Sequence, residues 1–220
     1  DGYLGGIYRS YDRGESWERI SPDLTTNDPQ RQRQEDSGGL SNDDSGAENN
    51  TTIFAIAESP ADEQIIWVGT DDGNLQISRN GGESWTNVVG NIPDLPEGLW
   101  CSSVCPSRFE SGTCYVTFDG HRSGDMGVYV YKTTDLGQSW TSVATPEIEG
   151  FAHVIREDNE SDQLLFLGTE SGLFVSLDGG LSWNHFTNGI PRTSVRALAL
   201  QERESDLIVA THGRGLFILD

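Results

Sequence analysis

Carboxylates, imidazoles and guanidiniums recur in this chain in short polar runs that separate apolar stretches. The runs hold Asp71 and Asp72, then Asp119, His121, Arg122 and Asp125, then Glu170, and finally His212 and Arg214. His153 and Arg156 stand inside an apolar stretch. Converging groups of these types can bind a polar ligand. Two of the carboxylates, held about 5 Å apart or somewhat wider, could hydrolyse a glycosidic bond; Asp71, Asp119 and Glu170 are the candidates. Short connecting loops are polar in any protein, so the run 119–125 is the strongest of these signals. It is longer than its turn requires and carries His121 beside Arg122. Metal chemistry is poorly supported. The four histidines (His121, His153, His185, His212) lack ligand spacing, and only Ca²⁺ held by the acidic loops stands as an option, without an EF-hand pattern. No other cofactor is expected, as neither a phosphate-binding glycine loop nor a nucleophile elbow occurs.

What positions these runs is an internal repeat. Four segments share the pattern Ser/Thr-x-Asp/Asn-x-Gly-x-Ser-Trp. They carry Ser10, Asp12, Gly14 and Trp17; Ser78, Asn80, Gly82 and Trp85; Thr133, Asp135, Gly137 and Trp140; and Ser176, Asp178, Gly180 and Trp183. The Asp or Asn suits hydrogen bonding to its own turn, the Gly a positive φ, and the Trp an apolar cover at the start of the next strand. These boxes therefore read as structural hairpins, not as catalytic acids.

A second repeated element precedes each box. Residues 67–75, 166–174 and 209–217 align with one another, and a longer version surrounds Asp119. Apolar strands come earlier still, at 52–58, 100–105, 151–156 and 195–200. One unit is thus four strands, and runs such as Leu164-Leu165-Phe166-Leu167 are apolar on both faces, as befits a sheet packed between two others. The expected fold is all-β: propeller blades of four antiparallel strands, about four blades' worth, with full blades at 52–89, 100–144 and 151–187. Partial blades fall at 1–20 and 194–220, and 21–51 reads as a long polar surface loop. The chain is expected to be an arc of a larger propeller; closure of four blades by pairing of the two ends is the alternative. All box hairpins then share one rim, and the candidate loops share the other.

The formal charge of −21 argues against a nucleic-acid partner, whose phosphates need a basic stripe. Carboxylates number 35, and Lys132 is the lone lysine, a balance that suits salty surroundings or simple acidic solubility. No stretch reaches the ~18 apolar residues of a membrane helix, and the opening Asp1-Gly2-Tyr3-Leu4 reads as the middle of a protein. Three cysteines, Cys101, Cys105 and Cys114, cannot all pair; Cys105 and Cys114 flank a Ser/Gly-rich turn and are candidates for a disulfide.

With the boxes, and with segments such as Tyr129-Val130-Tyr131-Lys132-Thr133-Thr134-Asp135 and Ala210-Thr211-His212-Gly213-Arg214-Gly215, the chain resembles the Asp-box (BNR-repeat) propellers. That superfamily includes sialidases, xyloglucanase-type glycoside hydrolases and sortilin/Vps10 receptors. The nearest resemblance is to sortilin-like secreted bacterial proteins. It implies a secreted, cell-surface or periplasmic location and further blades in the same polypeptide, but no shared activity. The sialidase arginine cluster cannot be assigned to particular residues. Two readings follow: a binding or scaffold module for a protein, peptide or polysaccharide, which is the preferred one, and a glycoside hydrolase using two carboxylates of the loops between second and third strands. Ligand candidates are Asp119, His121, Arg122, Asp125, His153, Arg156, His212 and Arg214.

Overall fold

The computed structural model describes residues 5–32 and 50–220. These fold into antiparallel sheets that follow one another along the chain. A hairpin of β1 (Tyr8–Arg9) and β2 (Glu18–Arg19) comes first. Next is a four-stranded sheet of β3 (Ile53–Ser59), β4 (Asp62–Thr70), β5 (Leu75–Ser78) and β6 (Thr86–Asn87). A second has β7 (Trp100–Pro106), β8 (Cys114–Asp119), β9 (Tyr129–Thr133) and β10 (Thr141–Ser142). A third has β11 (Ala152–Glu157), β12 (Leu165–Thr169), β13 (Gly172–Ser176) and β14 (Asn184–Phe186). Three strands end the chain: β15 (Val195–Gln201), β16 (Asp206–Thr211) and β17 (Gly215–Leu219). Each sheet is a meander, and the first strands β3, β7, β11 and β15 lie beside one another. This is the arrangement of propeller blades around an axis. The hairpin β1–β2 and the sheet β15–β17 are separate, with no strand pairing between them.

The double-sided apolar pattern now has a physical cause. Ile65 and Trp67 pack toward the second blade, while Ile66 and Val68 pack back toward the first hairpin. In the second blade Val116 and Phe118 face one way and Tyr115 the other. Alternate residues of a strand point to opposite faces, so a middle strand between two neighbouring sheets must be apolar at every position. Fully burying each such side chain contributes about 1.5–3 kcal/mol.

The four boxes close equivalent hydrogen-bond circuits, one contact being reversed in the second, where Asn80 Nδ2 donates to Ser84 Oγ. In the last, Ser176 Oγ donates to Asp178 Oδ1 (2.8 Å) and accepts from the Gly180 N–H (2.8 Å). Asp178 also accepts from the Ser182 N–H (2.9 Å) and Ser182 Oγ (2.6 Å). Asp12 and Asp135 repeat these contacts, and their carboxyls, hydrogen-bonded chiefly by Ser16 and Ser139, are lowered to about 2. The φ of Gly180 is +94°, in the region where a side chain is disfavoured. The tryptophans do more than cover their own turns. Trp183 Nε1 donates to the Val143 carbonyl (2.9 Å) and Trp85 Nε1 to that of Ile20 (3.2 Å), in each case in the chain just past the last strand of the preceding blade. At these two boxes the tryptophan thereby fastens one blade to the next.

Two expectations need correction or restriction. Cys105 and Cys114 are free buried thiols, as is Cys101. The ladder pairs Cys105 with Tyr115 and Cys114 with Pro106. The two cysteines are therefore one step out of register, on opposite faces, with Cys114 packed toward the first full blade and Cys105 toward the third. Of the long segment 21–51, residues 33–49 lie outside the described residues. The preceding part is anchored: Leu24 is buried in the first apolar layer, and its carbonyl accepts from Asn74 and Gln76 side chains.

Candidate functional site

Antiparallel meanders place the turns after first and third strands on one rim, and those after second and fourth strands on the other. The boxes occupy the first rim. Asp71, Asp119–Asp125, Glu170 and His212–Arg214 follow second strands and occupy the second.

At that second rim each first strand carries a β-bulge at the same place. The register skips one residue between Ile53 and Ala55, Cys101 and Ser103, Ala152 and Val154, and Val195 and Ala197. The extra residues are Phe54, Ser102, His153 and Arg196. A bulge leaves its residue unpaired and re-aims the side chain, and two of these four converge on one carboxylate. His153 Nε2 lies 3.0 Å and Arg196 Nη2 3.3 Å from Glu170 Oε2, which also accepts from Ser194 Oγ at 2.8 Å. On its other side His153 Nδ1 lies 3.5 Å from Asp119 Oδ2. Asp119 Oδ1 is met by His121 Nδ1 at 2.6 Å and by the His121 N–H at 2.9 Å. Phe151 walls the cluster, stacked on His121 and edge-on to His153. The Glu170 N–H donates to the Phe151 carbonyl (3.1 Å), which fixes the loop that carries the carboxylate.

The electrostatics of the two carboxylates run in parallel. Burial pushes the Asp119 carboxyl up, but hydrogen bonds from His153 and from the backbone and ring of His121 outweigh it and hold the group below the usual carboxylate range. Burial also pushes Glu170 up, and His153, Ser194 and Arg196 together bring it below its ordinary value. Both are therefore ionised at neutral pH. They differ in access: the Asp119 side chain is 3% exposed and that of Glu170 42%. Glu170 can accept hydrogen bonds from a ligand or take a proton, while Asp119 supports His153 from behind. A single imidazole fills the space between them, so these two carboxylates do not flank a scissile bond.

The other sequence candidates disperse. Asp71 accepts from the N–H and Oγ1 of Thr52 (2.7 and 3.0 Å), which ties its loop to the entry of β3. Asp125 serves its own loop through the Gly127 N–H and the Tyr129 hydroxyl. Arg156 turns to Ser103 Oγ and the Ile155 carbonyl, away from the cluster. His212 and Arg214 are exposed, and the His212 N–H binds the Ser194 carbonyl (2.8 Å). Arg122 lies over the Trp100 ring, 4.1 Å from its centroid, and Phe54 meets Trp100 edge-on at 4.3 Å. Sequence reasoning passed over Phe54, Trp100, Phe151, Ser194 and Arg196. The one available signal was positional, since all five fall at the start of a first strand.

Among the described residues, no three or more His, Cys, Asp or Glu side chains are placed to hold a metal ion. Nor is any helix there long and apolar enough to cross a membrane.

Comparison with known proteins returned no matching family model. The chain is 32% identical over 101 residues to the oligoxyloglucan-reducing end-specific xyloglucanase of Emericella nidulans, a match covering 46% of this chain and 12% of that protein. Among solved structures, a GH74 xyloglucanase from Xanthomonas campestris superposes with a TM-score of 0.66 at 18% identity, over 97% of this chain and 33% of that one. An ancestral GH74 enzyme gives 0.65 at 21%, over 94% and 25%. YCF48 in its peptide-bound form gives 0.56 at 18%, over 76% and 51%. The chain thus spans about an eighth of the curated relative's length and a quarter to a third of the two GH74 structures. Its fold is that of β-propeller blades, with xyloglucanases among its structural neighbours.

Proposed function

We propose that this chain forms part of a polysaccharide-active β-propeller, acting on a β-glucan at the rim opposite the boxes, with Glu170 as its base carboxylate. The observation that carries this reading is the state of Glu170: ionised, half-exposed and oriented by His153, Ser194 and Arg196. A carboxylate so held can take a proton from water attacking a sugar ring. The relation to a xyloglucanase sequence over nearly half the chain favours a glucan substrate. The acid that would protonate the leaving oxygen is then a carboxyl from outside this cluster. A polymeric glycan is met outside the cytoplasm, so secretion or surface display belongs to the same reading, as does the resemblance to bacterial sortilin-like Asp-box proteins.

Glycan or peptide binding without hydrolysis is the second reading. What favours it is that both Asp119 and Glu170 are held ionised, whereas a hydrolase needs one protonated carboxyl near neutral pH. Glu157, whose carboxyl is pushed up by burial, lies beside Ser107 at the box rim. The full-length protein should be assayed for reducing-end release from xyloglucan and other β-glucans. Release that disappears in Glu170→Gln supports hydrolysis; binding without release on every polymer supports the second reading and removes Glu170 as a base.

A further inference from the structure

We infer that Phe54, backed by Trp100 and Arg122, is a sugar-stacking subsite that takes the apolar face of a β-linked glucopyranose. The inference rests on the glycan reading above and adds the place where a second sugar of the chain is held.

Phe54 is the first of the four bulge residues, equivalent to His153 and Arg196 two and three blades along. The bulge takes it out of the strand's alternation, and the residue is 49% exposed. Such exposure in a large apolar side chain is ordinary when isolated, but Phe54 is not isolated. It abuts Trp100, whose other contact is the Arg122 guanidinium, so an aromatic pair and a cation form one unit. That unit is continuous with the carboxylate cluster. Trp100 is the direct ladder partner of Asp119, and Arg122 follows His121 in the same loop.

The chemistry selects the ligand. In β-glucopyranose the hydroxyls are equatorial and the axial C–H bonds leave both ring faces apolar, so the ring can lie flat on phenylalanine while its edge hydrogen-bonds to charged neighbours. A polymer of such sugars would run from Phe54 past Trp100 and Arg122 toward Glu170.

The test is calorimetric binding of a thio-linked β-glucan oligosaccharide, whose sulfur bridges resist hydrolysis, to the full-length protein, with tryptophan fluorescence recorded in parallel. Phe54→Ala and Phe54→Leu should each weaken binding about tenfold, Phe54→Tyr should retain it, and melting temperatures should stay unchanged because the ring is half-exposed. Binding by Phe54→Leu equal to the parent would overturn aromatic stacking, and unchanged binding by Phe54→Ala would remove the subsite. Failure of the unmodified protein to bind any β-glucan would instead overturn the underlying glycan reading.

Discussion

Replacing His153 by alanine removes the one side chain that touches both carboxylates of the cluster, and its energetic consequences can be worked out term by term. The imidazole is 5% exposed, so its loss leaves a cavity beside Phe151 and strips Asp119 of a partner in a site that is itself 3% exposed. Asp119 keeps its two contacts with His121, which limits the damage. The expected loss of stability is on the order of 2–4 kcal/mol. Glu170→Ala alone should cost roughly 1 kcal/mol, because that carboxylate is substantially solvated and its charged hydrogen bonds are screened. If His153 and Glu170 interact as described, the double variant should be less damaged than the two losses together, by about 1 kcal/mol. Urea denaturation of the four proteins at pH 7 measures this. The pH dependence has a defined sign. The folded carboxyl of Glu170 lies below its ordinary 4.5, so its contribution is fully present above that value and is lost as pH falls through the lowered one. The coupling should fade in the same window. Strict additivity at pH 7, within about 0.3–0.5 kcal/mol, would refute the claim that His153 orients Glu170.

Two further outcomes follow from the fold. Trp183→Phe should cost about 2–3 kcal/mol in denaturant unfolding, since the indole is 2% exposed and its N–H bond to Val143 crosses between blades. Trp17→Phe, at a ring 64% exposed, should stay within about 0.5 kcal/mol; equal losses at the two positions would contradict the blade-fastening role. Burial pushes the Glu157 carboxyl up, so the folded state holds that proton more tightly than the unfolded chain. Stability of the parent relative to Glu157→Gln should therefore rise as pH falls through the raised folded value toward 4.5, and a difference that stays flat between pH 7 and 4.5 would show that burial does not set this group.

The boxes were legible in the sequence because their physics is local. Each oxygen of Ser176 and Asp178 finds its partners within four residues, so spacing alone encodes the geometry. Blades were legible for a related reason: a sheet flanked by two sheets needs apolar residues on both faces, and that need is written in consecutive runs such as 164–167. The cysteine pairing failed because a ladder register is a matter of one residue, and Ser- and Gly-rich turns do not announce which residue is skipped. Cys105 and Cys114 are close in sequence and across a hairpin, yet they face opposite layers.

The cluster was legible only in fragments, because its members come from three blades: Asp119 from the second, His153 and Glu170 from the third, Ser194 and Arg196 from the last. Reading loops alone singled out Asp71, Asp125, His212 and Arg214 beside Asp119 and Glu170, since every candidate loop is polar. What separates them is the bulge. A propeller's inner strand has two competing demands: alternation of side chains between its neighbours, and presentation of polar groups at the rim. An extra residue resolves the conflict without changing composition, so Ala152, His153 and Val154 are all buried in sequence although strict alternation would not bring the imidazole to both carboxylates. The same insertion at Arg196 brings a guanidinium to Glu170, and at Phe54 exposes an aromatic ring. One backbone irregularity, repeated in register with the blades, thus selects which polar residues of the rim meet. Functional candidates in repeats of this kind are better sought at the bulge near the start of each inner strand than in the loops that the sequence makes conspicuous.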